Sequence, residues 1–281
     1  MTWLLMVAAA ILPFLGADES GTVQGVTIPL APPSADAHGA LPPVTRARGE
    51  DPPLVVIDPG HGGRDGGASS PYSSMPEKDV TLALARAIRN ALARTARVRV
   101  ALTRDDDTYL VLEERYEIAR RLGADLFISI HADAAPSNDQ AHGATIYTLS
   151  EVASDREAAL LARRENAAGL LPAQMNPDPN VNLILIDLAQ RESMDRSAEF
   201  ARLLYREAGT TFPFRPNWHR FAAFVVLKAP DIPSILFESG YLTNERDAAY
   251  LQSEQGRGQI ADGMRRAIEA HFARRFLGAA G

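Results

Sequence analysis

Apolar residues follow two patterns along the chain: short continuous runs, and longer runs in which they recur at intervals of three and four. The longest regular example covers 79–95, where Val80, Leu84 and Ile88 would lie on one face of a helix. The two patterns alternate, which favours an α/β layer fold with a mostly buried mixed central sheet flanked by helices. The predicted strands are 54–58, 98–102, 126–131, 144–149, 223–227 and 235–238, and the other predicted helices are 110–122, 154–170 and 258–276.

The same pattern divides the chain into segments. Residues 1–17 are almost continuously apolar, a length typical of a signal peptide and short for a membrane span, although no Lys or Arg precedes the run. We therefore expect export, with an uncleaved N-terminal anchor as the alternative. Residues 18–53 are rich in Pro, Gly, Ala and Ser, which predicts a flexible linker. A single domain then spans 54–276, and 151–187 interrupts its strand and helix alternation as an inserted segment.

Composition narrows the possible chemistry. The chain of 281 residues has a formal net charge of -6 and a pI near 5.6, so it lacks the basic excess that nucleic-acid binders show. No cysteine is present, which excludes disulfides and thiolate metal ligands. A metal site in this protein must use nitrogen and oxygen ligands.

Two histidines and a carboxylate stand where predicted elements begin or end. His61 follows the first strand in a glycine-rich turn, Glu77 directly precedes the helix over 79–95, and His131 closes the third strand. Three nitrogen and oxygen ligands of this kind are typical of catalytic zinc, which keeps a fourth position for water. The alternative is that each histidine is a hydrogen-bonded loop residue and that Glu77 caps a helix.

A further apolar strand supports the first interpretation. It ends at Glu238, which Ser239 and Gly240 follow. Ligands of open α/β sheets bind outside the carboxyl ends of the strands, so three strands would deliver polar groups to one edge. For Glu238 the alternative is a strand-end residue that caps the next helix.

In these blocks the chain resembles zinc-dependent N-acetylmuramoyl-L-alanine amidases of the cell-division type. The resemblance runs from about residue 54 to about residue 276, with the motifs in the family's order. It is carried by 57–63, Glu77, 129–133 and 233–244, and also by 102–104 with Asp107, Tyr109 and Arg115.

The resemblance implies a function for each candidate. One Zn²⁺ would be held by His61, Glu77 and His131, and Glu238 would transfer protons. The bond cut would join N-acetylmuramic acid to L-alanine in peptidoglycan, in the periplasm, for cell-wall remodelling and daughter-cell separation. Two alternatives stay open: a zinc peptidase acting within the stem peptides, and a wall-binding relative without catalysis.

The inserted segment also has a counterpart in the family. Cell-division amidases carry a helix here that covers the zinc until a protein partner, an activator of the LytM-domain type, displaces it. The segment 163–168 matches that helix, and Glu165 is the candidate for an autoinhibitory metal ligand. The alternative is a peripheral helix that only covers the sheet.

The remaining polar residues have less distinctive surroundings. Arg64 and His219 are candidates for substrate binding, each with a surface role as the alternative. Asp58 is expected to support the turn rather than to bind metal. We expect His219 in a loop, and we interpret the polar run at 187–197 as a structural feature preceding a helix.

Overall fold

The computed structural model describes residues 40–135, 137–168 and 183–278. The predicted signal peptide, most of the linker and part of the inserted segment lie outside these ranges. Among the helices that are described, none combines the length and the apolar character needed to cross a membrane.

Strands and helices alternate along the described chain, as the pattern predicts. In chain order they are β1 (Leu54–Pro59), α1 (Glu77–Thr95), β2 (Arg99–Leu102), α2 (Leu112–Leu122), β3 (Leu126–Asp133), β4 (Ala144–Leu149), α3 (Arg156–Ala168), α4 (Leu183–Ala208), β5 (Phe214–Ala222), β6 (Ser234–Tyr241), α5 (Glu245–Gln252) and α6 (Glu254–Gly278).

The strands form one mixed sheet in the order β2-β1-β3-β6-β4-β5. All neighbouring pairs are parallel except β4 and β6, which are antiparallel. The three central strands β1, β3 and β6 are therefore parallel, and their carboxyl ends lie at one edge. The expected α/β fold with a mixed central sheet is confirmed.

Alternate residues of the strands pack into two separate cores. Val55 and Ile57 belong to the core under α1, α4 and α6, whereas Leu54 and Val56 belong to the core on the opposite face. Buried residues on both faces explain why the strands read as continuous apolar runs. The second core includes residues of α3, so the inserted helix covers one face of the sheet.

Four details of the prediction are wrong, and the first concerns a strand. The run at 223–227 forms a 3₁₀ turn (Val225–Leu227), and the strand lies just before it as β5. The turn buries its apolar side chains in the second core, so the run needs no sheet partner. Among the described strands, β5 pairs only with β4, and it is partly exposed. Several of its residues are therefore polar, and its sequence lacks the apolar run that would predict a buried strand.

The other three errors concern two helix boundaries and one histidine. Residues 188–197 of the polar run lie inside α4, because the helix buries only one face and its exposed face is polar. The predicted terminal helix begins earlier, at Glu254, after the separate helix α5. His219 lies on β5 rather than in a loop.

Candidate metal centre

The ends of β1, β3 and β6 bring the predicted site residues together. His61 lies two residues after β1, His131 lies near the end of β3, and Glu238 lies on β6 as the cross-strand neighbour of His131. Glu77 is the first residue of α1 and points its carboxylate back toward the sheet, where Oε1 accepts from the Ala132 amide at 3.0 Å. All four side chains are buried.

Four donor atoms surround one point between these elements. Glu77 Oε1 lies 3.0 Å from His61 Nε2 and 3.1 Å from His131 Nδ1. Glu165 Oε2, from α3, lies 3.4 Å from each of the same two nitrogens. The donor atoms of His61, His131 and Glu165 all fall within 4.8 Å of one another and form a possible metal site.

The donor set fits zinc. Zinc bonds of 2.0–2.1 Å in a tetrahedron place neighbouring donors about 3.3 Å apart, close to the four distances above. His61 Nε2 and Glu165 Oε2 are buried and have no hydrogen-bond partner among the described residues. Buried polar atoms are normally paired, so unpaired atoms that face a common point fit a cation-binding site.

Charges in the cluster are arranged for a cation. Burial lowers the pKa of His61, but the carboxylates of Glu77, Asp65 and Glu165 more than offset this and hold it well above its usual range. Burial raises the pKa of Glu77, yet the imidazoles of His61 and His131 hold it well below its usual range. The raised pKa of His61 and the lowered pKa of Glu77 both reflect the attraction between positive and negative groups in this cluster.

Glu238 differs from the ligand residues in its surroundings. Both of its carboxylate oxygens are buried and lack hydrogen-bond partners in the part of the chain that the structure describes. Burial raises its pKa well above the usual range, and the carboxylates of Asp133, Glu77 and Glu165 raise it further. A carboxylate of raised basicity beside a metal site is suited to accept and return a proton.

Glycine makes room for the two histidines. A Cβ at Gly60 would lie 2.5 Å from the imidazole of His131, and a Cβ at Gly67 would lie 2.6 Å from Cδ2 of His61. His61 itself adopts a φ of 61°, in the left-handed region that costs free energy for a residue with a Cβ. The strained turn directs the imidazole into the site.

Two buried arginines hold the backbone of this turn. Arg104 donates to the carbonyls of Pro59 and Gly60, at 3.0 and 2.8 Å. Arg115 donates to the carbonyl of His61 at 2.8 Å and forms an ion pair with Asp58 at 2.9 Å. The expected supporting role of Asp58 agrees with these contacts. The roles of both arginines were not predicted, because their acceptors include backbone carbonyls of a distant segment, which no side-chain pattern identifies.

Asp65 is a functional candidate that sequence reasoning missed. Its Oδ2 lies 2.8 Å from His61 Nδ1, the ring nitrogen that does not face the other ligands. Carboxylates in this position fix the tautomer and orientation of metal-binding histidines. An acidic residue four positions after a candidate ligand, within the same glycine-rich turn, was the available signal.

Helix α3 covers the candidate centre. The enclosed space beside His61, His131 and Glu165 is about 20 Å³, enough for about one water molecule. Arg164 donates to Asp133 Oδ1 at 2.7 Å and to Glu165 Oε1 at 3.1 Å. Asn166 donates to the carbonyl of Ala223 at 2.8 Å. In this arrangement α3 leaves little free space beside the donor atoms.

The two substrate-binding candidates make contacts outside the donor cluster. The guanidinium carbon of Arg64 lies 4.5 Å from the centre of the Tyr109 ring. His219 Nε2 lies 3.1 Å from Thr148 Oγ1, and its ring stacks against Trp218. Their role in substrate binding stays a prediction.

A mixed sheet flanked by helices, with His131 and Glu238 near the ends of parallel strands and His61 just after another, defines an α/β protein with a candidate metal centre at one edge of its sheet. The family model described as N-acetylmuramoyl-L-alanine amidase (Amidase_3) matches residues 55–270. The chain belongs to this family, and the resemblance inferred from the motifs is confirmed.

Individual relatives agree with this assignment. The chain is 35% identical to N-acetylmuramoyl-L-alanine amidase AmiC of Escherichia coli O6:H1 over 80% of its length and 54% of that protein. It is 36% identical to AmiA of Salmonella typhimurium over 84% of its length and 81% of that protein. It thus spans about half of the AmiC relative and most of AmiA.

Solved structures agree as well. The catalytic domain of CwlV, an N-acetylmuramoyl-L-alanine amidase from Bacillus (Paenibacillus) polymyxa var. colistinus, superposes with a TM-score of 0.59 at 25% identity. The match covers 79% of this chain and 98% of the CwlV domain. The fold of the described chain is therefore that of an amidase catalytic domain.

Proposed function

We propose that this protein is a zinc-dependent hydrolase of the amide bond between N-acetylmuramic acid and L-alanine in peptidoglycan, and that α3 keeps it inactive until a partner displaces it. The observation that carries the proposal is the convergence of His61, Glu77, His131 and Glu165 around one point, with Glu238 beside them. Family membership supports the choice of bond.

In this proposal each side chain has a distinct task. His61, Glu77 and His131 hold the metal, and Asp65 orients His61. When bound, zinc would polarise the amide carbonyl and lower the pKa of water to about 7. Glu238 accepts a proton from the attacking water and returns it to the departing amine nitrogen.

The resting state is explained by Glu165. Its carboxylate takes the fourth donor position, which water needs for hydrolysis. The helix that carries it also excludes the polymer. Activation then requires a partner that binds the open state more tightly than the closed state, because only differential affinity shifts the equilibrium. We propose an activator of the LytM-domain type.

The predicted signal segment supports action outside the cytoplasm. We propose that the protein is exported to the periplasm and acts in wall remodelling and daughter-cell separation. Whether residues 1–17 are cleaved or retained as an anchor is decided by sequencing the N-terminus of the mature protein.

The proposed function is tested by mass spectrometry of the soluble products from purified peptidoglycan. The zinc-loaded full-length protein is compared with its Glu165→Ala variant. We expect intact stem peptides that begin at L-alanine, released mainly by the variant.

The other outcomes identify the alternatives. Equal release by both proteins would keep the amidase and reject the autoinhibition. Peptides cleaved within the stem would identify a peptidase. No product from either protein, with zinc bound and the fold intact, would favour a wall-binding protein.

A further inference from the structure

Two arginines of the edge strand β5 face acidic residues at the start of α3. Arg220 donates to Asp155 and, at 3.2 Å, to Glu157 Oε2. Arg215 donates to Glu157 Oε1 at 2.7 Å. One end of the covering helix is thus held by charge pairs, and its other end places Glu165 among the histidines.

The two sides of these ion pairs are not alike. The side chain of Arg220 is 5% exposed, whereas those of Asp155 and Glu157 are 41% and 50% exposed. Arg220 is also fixed from the sheet by the hydroxyl of Tyr147, which accepts its Nη1 at 3.1 Å. The two arginines therefore belong to the sheet, whereas their carboxylate partners belong to the covering helix.

The arginine pair and the candidate metal centre contact opposite ends of the same helix, α3. Tyr241 pairs across the sheet with Asp133, two residues after His131, and its hydroxyl accepts from Arg215. When α3 leaves, both arginines lose their carboxylate partners on the face that the helix had covered. Guanidinium groups form strong charge-assisted hydrogen bonds with carboxylates, so an incoming anion is bound favourably there.

We propose that Arg215 and Arg220 form a subsite for a carboxylate of the stem peptide, and that Asp155 and Glu157 occupy it as stand-ins while α3 is closed. Eight residues of helix separate Glu157 from Glu165, which is about 12 Å along the axis. An extended peptide covers that distance in three to four residues at about 3.3 Å each. The carboxylate recognised would be three to four residues from the scissile bond.

The inference rests on the proposed function, because it identifies the substrate group that the same site recognises. According to this inference, α3 imitates the substrate at two places. Glu165 lies at the metal position, and Asp155 and Glu157 lie at the anion subsite. The simpler alternative is that the arginines only fasten the closed helix.

A binding experiment separates these two roles without relying on catalysis. The probes are a free stem tetrapeptide beginning at L-alanine and the same peptide with its side-chain and terminal carboxylates amidated. Calorimetry measures their affinity for the full-length protein and for an Asp155→Asn, Glu157→Gln variant. Asparagine preserves the cap that Asp155 gives the amide of Ala158, so the substitutions remove charge and keep the helix start.

We expect the double variant to bind the acidic peptide at least tenfold more tightly than the amidated one, and the unmodified protein to bind both weakly. Adding Arg220→Gln should abolish the preference, and adding Arg220→Lys should restore part of it. Arg202→Gln, which removes an exposed arginine of α4, is the matched control and should keep the preference. Where the Arg220 variant does not fold, Arg215→Gln takes its place.

Equal affinity of the double variant for the two peptides would overturn the subsite. So would a preference that survives both Arg220→Gln and Arg215→Gln. A clear preference in a protein that releases no stems from peptidoglycan would keep the subsite and reject the amidase instead. The two proposals therefore fail by different results.

Discussion

At the scale of single residues, the candidate centre depends on small or charged residues that lie next to the predicted ligands. His61 is held by a left-handed backbone and by Asp65, and His131 occupies space that a side chain at Gly60 would fill. The carboxylate oxygens of Glu238 lack hydrogen-bond partners among the described residues, and burial together with neighbouring carboxylates raises the pKa of Glu238. The residues between the predicted ligands therefore also determine the geometry of the centre.

Replacing Glu238 by Gln should remove proton transfer and keep the metal. We expect turnover to fall by about 10²–10⁴-fold, since this is the usual contribution of a positioned acid and base. The measurement is stem release by the Glu165→Ala protein with and without Glu238→Gln, alongside its zinc content. Glu77→Gln is the matched control and should lose zinc. Retained turnover in the Glu238 variant would remove this residue from the mechanism.

Gly60→Ala should weaken metal binding, because the new Cβ would lie 2.5 Å from the His131 ring and force it to move. We expect zinc affinity to fall by about 10–100-fold, the range seen when the support of a ligand is lost. Competition with a chromogenic chelator measures this. Gly258→Ala, at a position in α6 with open space around it, is the control and should leave affinity unchanged. Unchanged affinity in the Gly60 variant would contradict the close packing described here.

At the scale of secondary-structure elements, the inserted helix is held at several points. Ala158, Leu161 and Ala162 pack in the core on one face of the sheet. Asn166 fastens the end of the helix near the candidate centre by donating to the Ala223 carbonyl and accepting from the Val225 amide at 2.9 Å. A helix with so few buried residues is suited to detach as a unit, because its separation exposes little apolar surface.

Asn166→Ala should shift α3 toward the open state. The loss of two hydrogen bonds, each worth about 1 kcal/mol net, should raise the basal rate of stem release about thirtyfold. The control is Leu160→Ala, because Leu160 is 52% exposed on the same helix. If both variants release stems at the basal rate, Asn166 does not restrain the helix.

At the scale of the whole molecule, the candidate centre joins segments that are far apart in the chain. His61, Glu77, His131 and Glu165 come from a turn, two helices and a strand, so a bound metal would link both faces of the sheet. Ligands that bind only the folded state stabilise it by mass action.

Removing zinc with a chelator should therefore lower the melting temperature. Zinc at about 100 times its dissociation constant contributes about 2.7 kcal/mol, which corresponds to a shift of about 5–10 °C for a domain of this size. Differential scanning calorimetry measures the shift. His61→Ala should melt at the same temperature with and without zinc. A zinc-independent melting temperature in the unmodified protein would argue against a metal in this cluster.

Much of the fold was predictable because its signals are local. The continuous apolar runs of β1 and β3 reflect burial on both faces, and the spacing in α1 reflects burial on one. The strand β5 was missed because it is a partly exposed edge strand, and its apolar neighbours at 225–227 pack as a 3₁₀ turn. At this edge, pairing with β4 and packing on the second core outweigh local propensity.

The sequence by itself determined the class of fold, the family and the residues that the candidate centre brings together, since these depend on periodic patterns and on short motifs. Only the tertiary structure revealed that Arg104 and Arg115 donate to the backbone of the turn. It also revealed the contact of Asp65 with His61, and the ion pairs that join two arginines of β5 to the start of α3. Each of these contacts joins a side chain to an acceptor that no spacing identifies, because the relative positions of distant segments are fixed by packing of the whole domain.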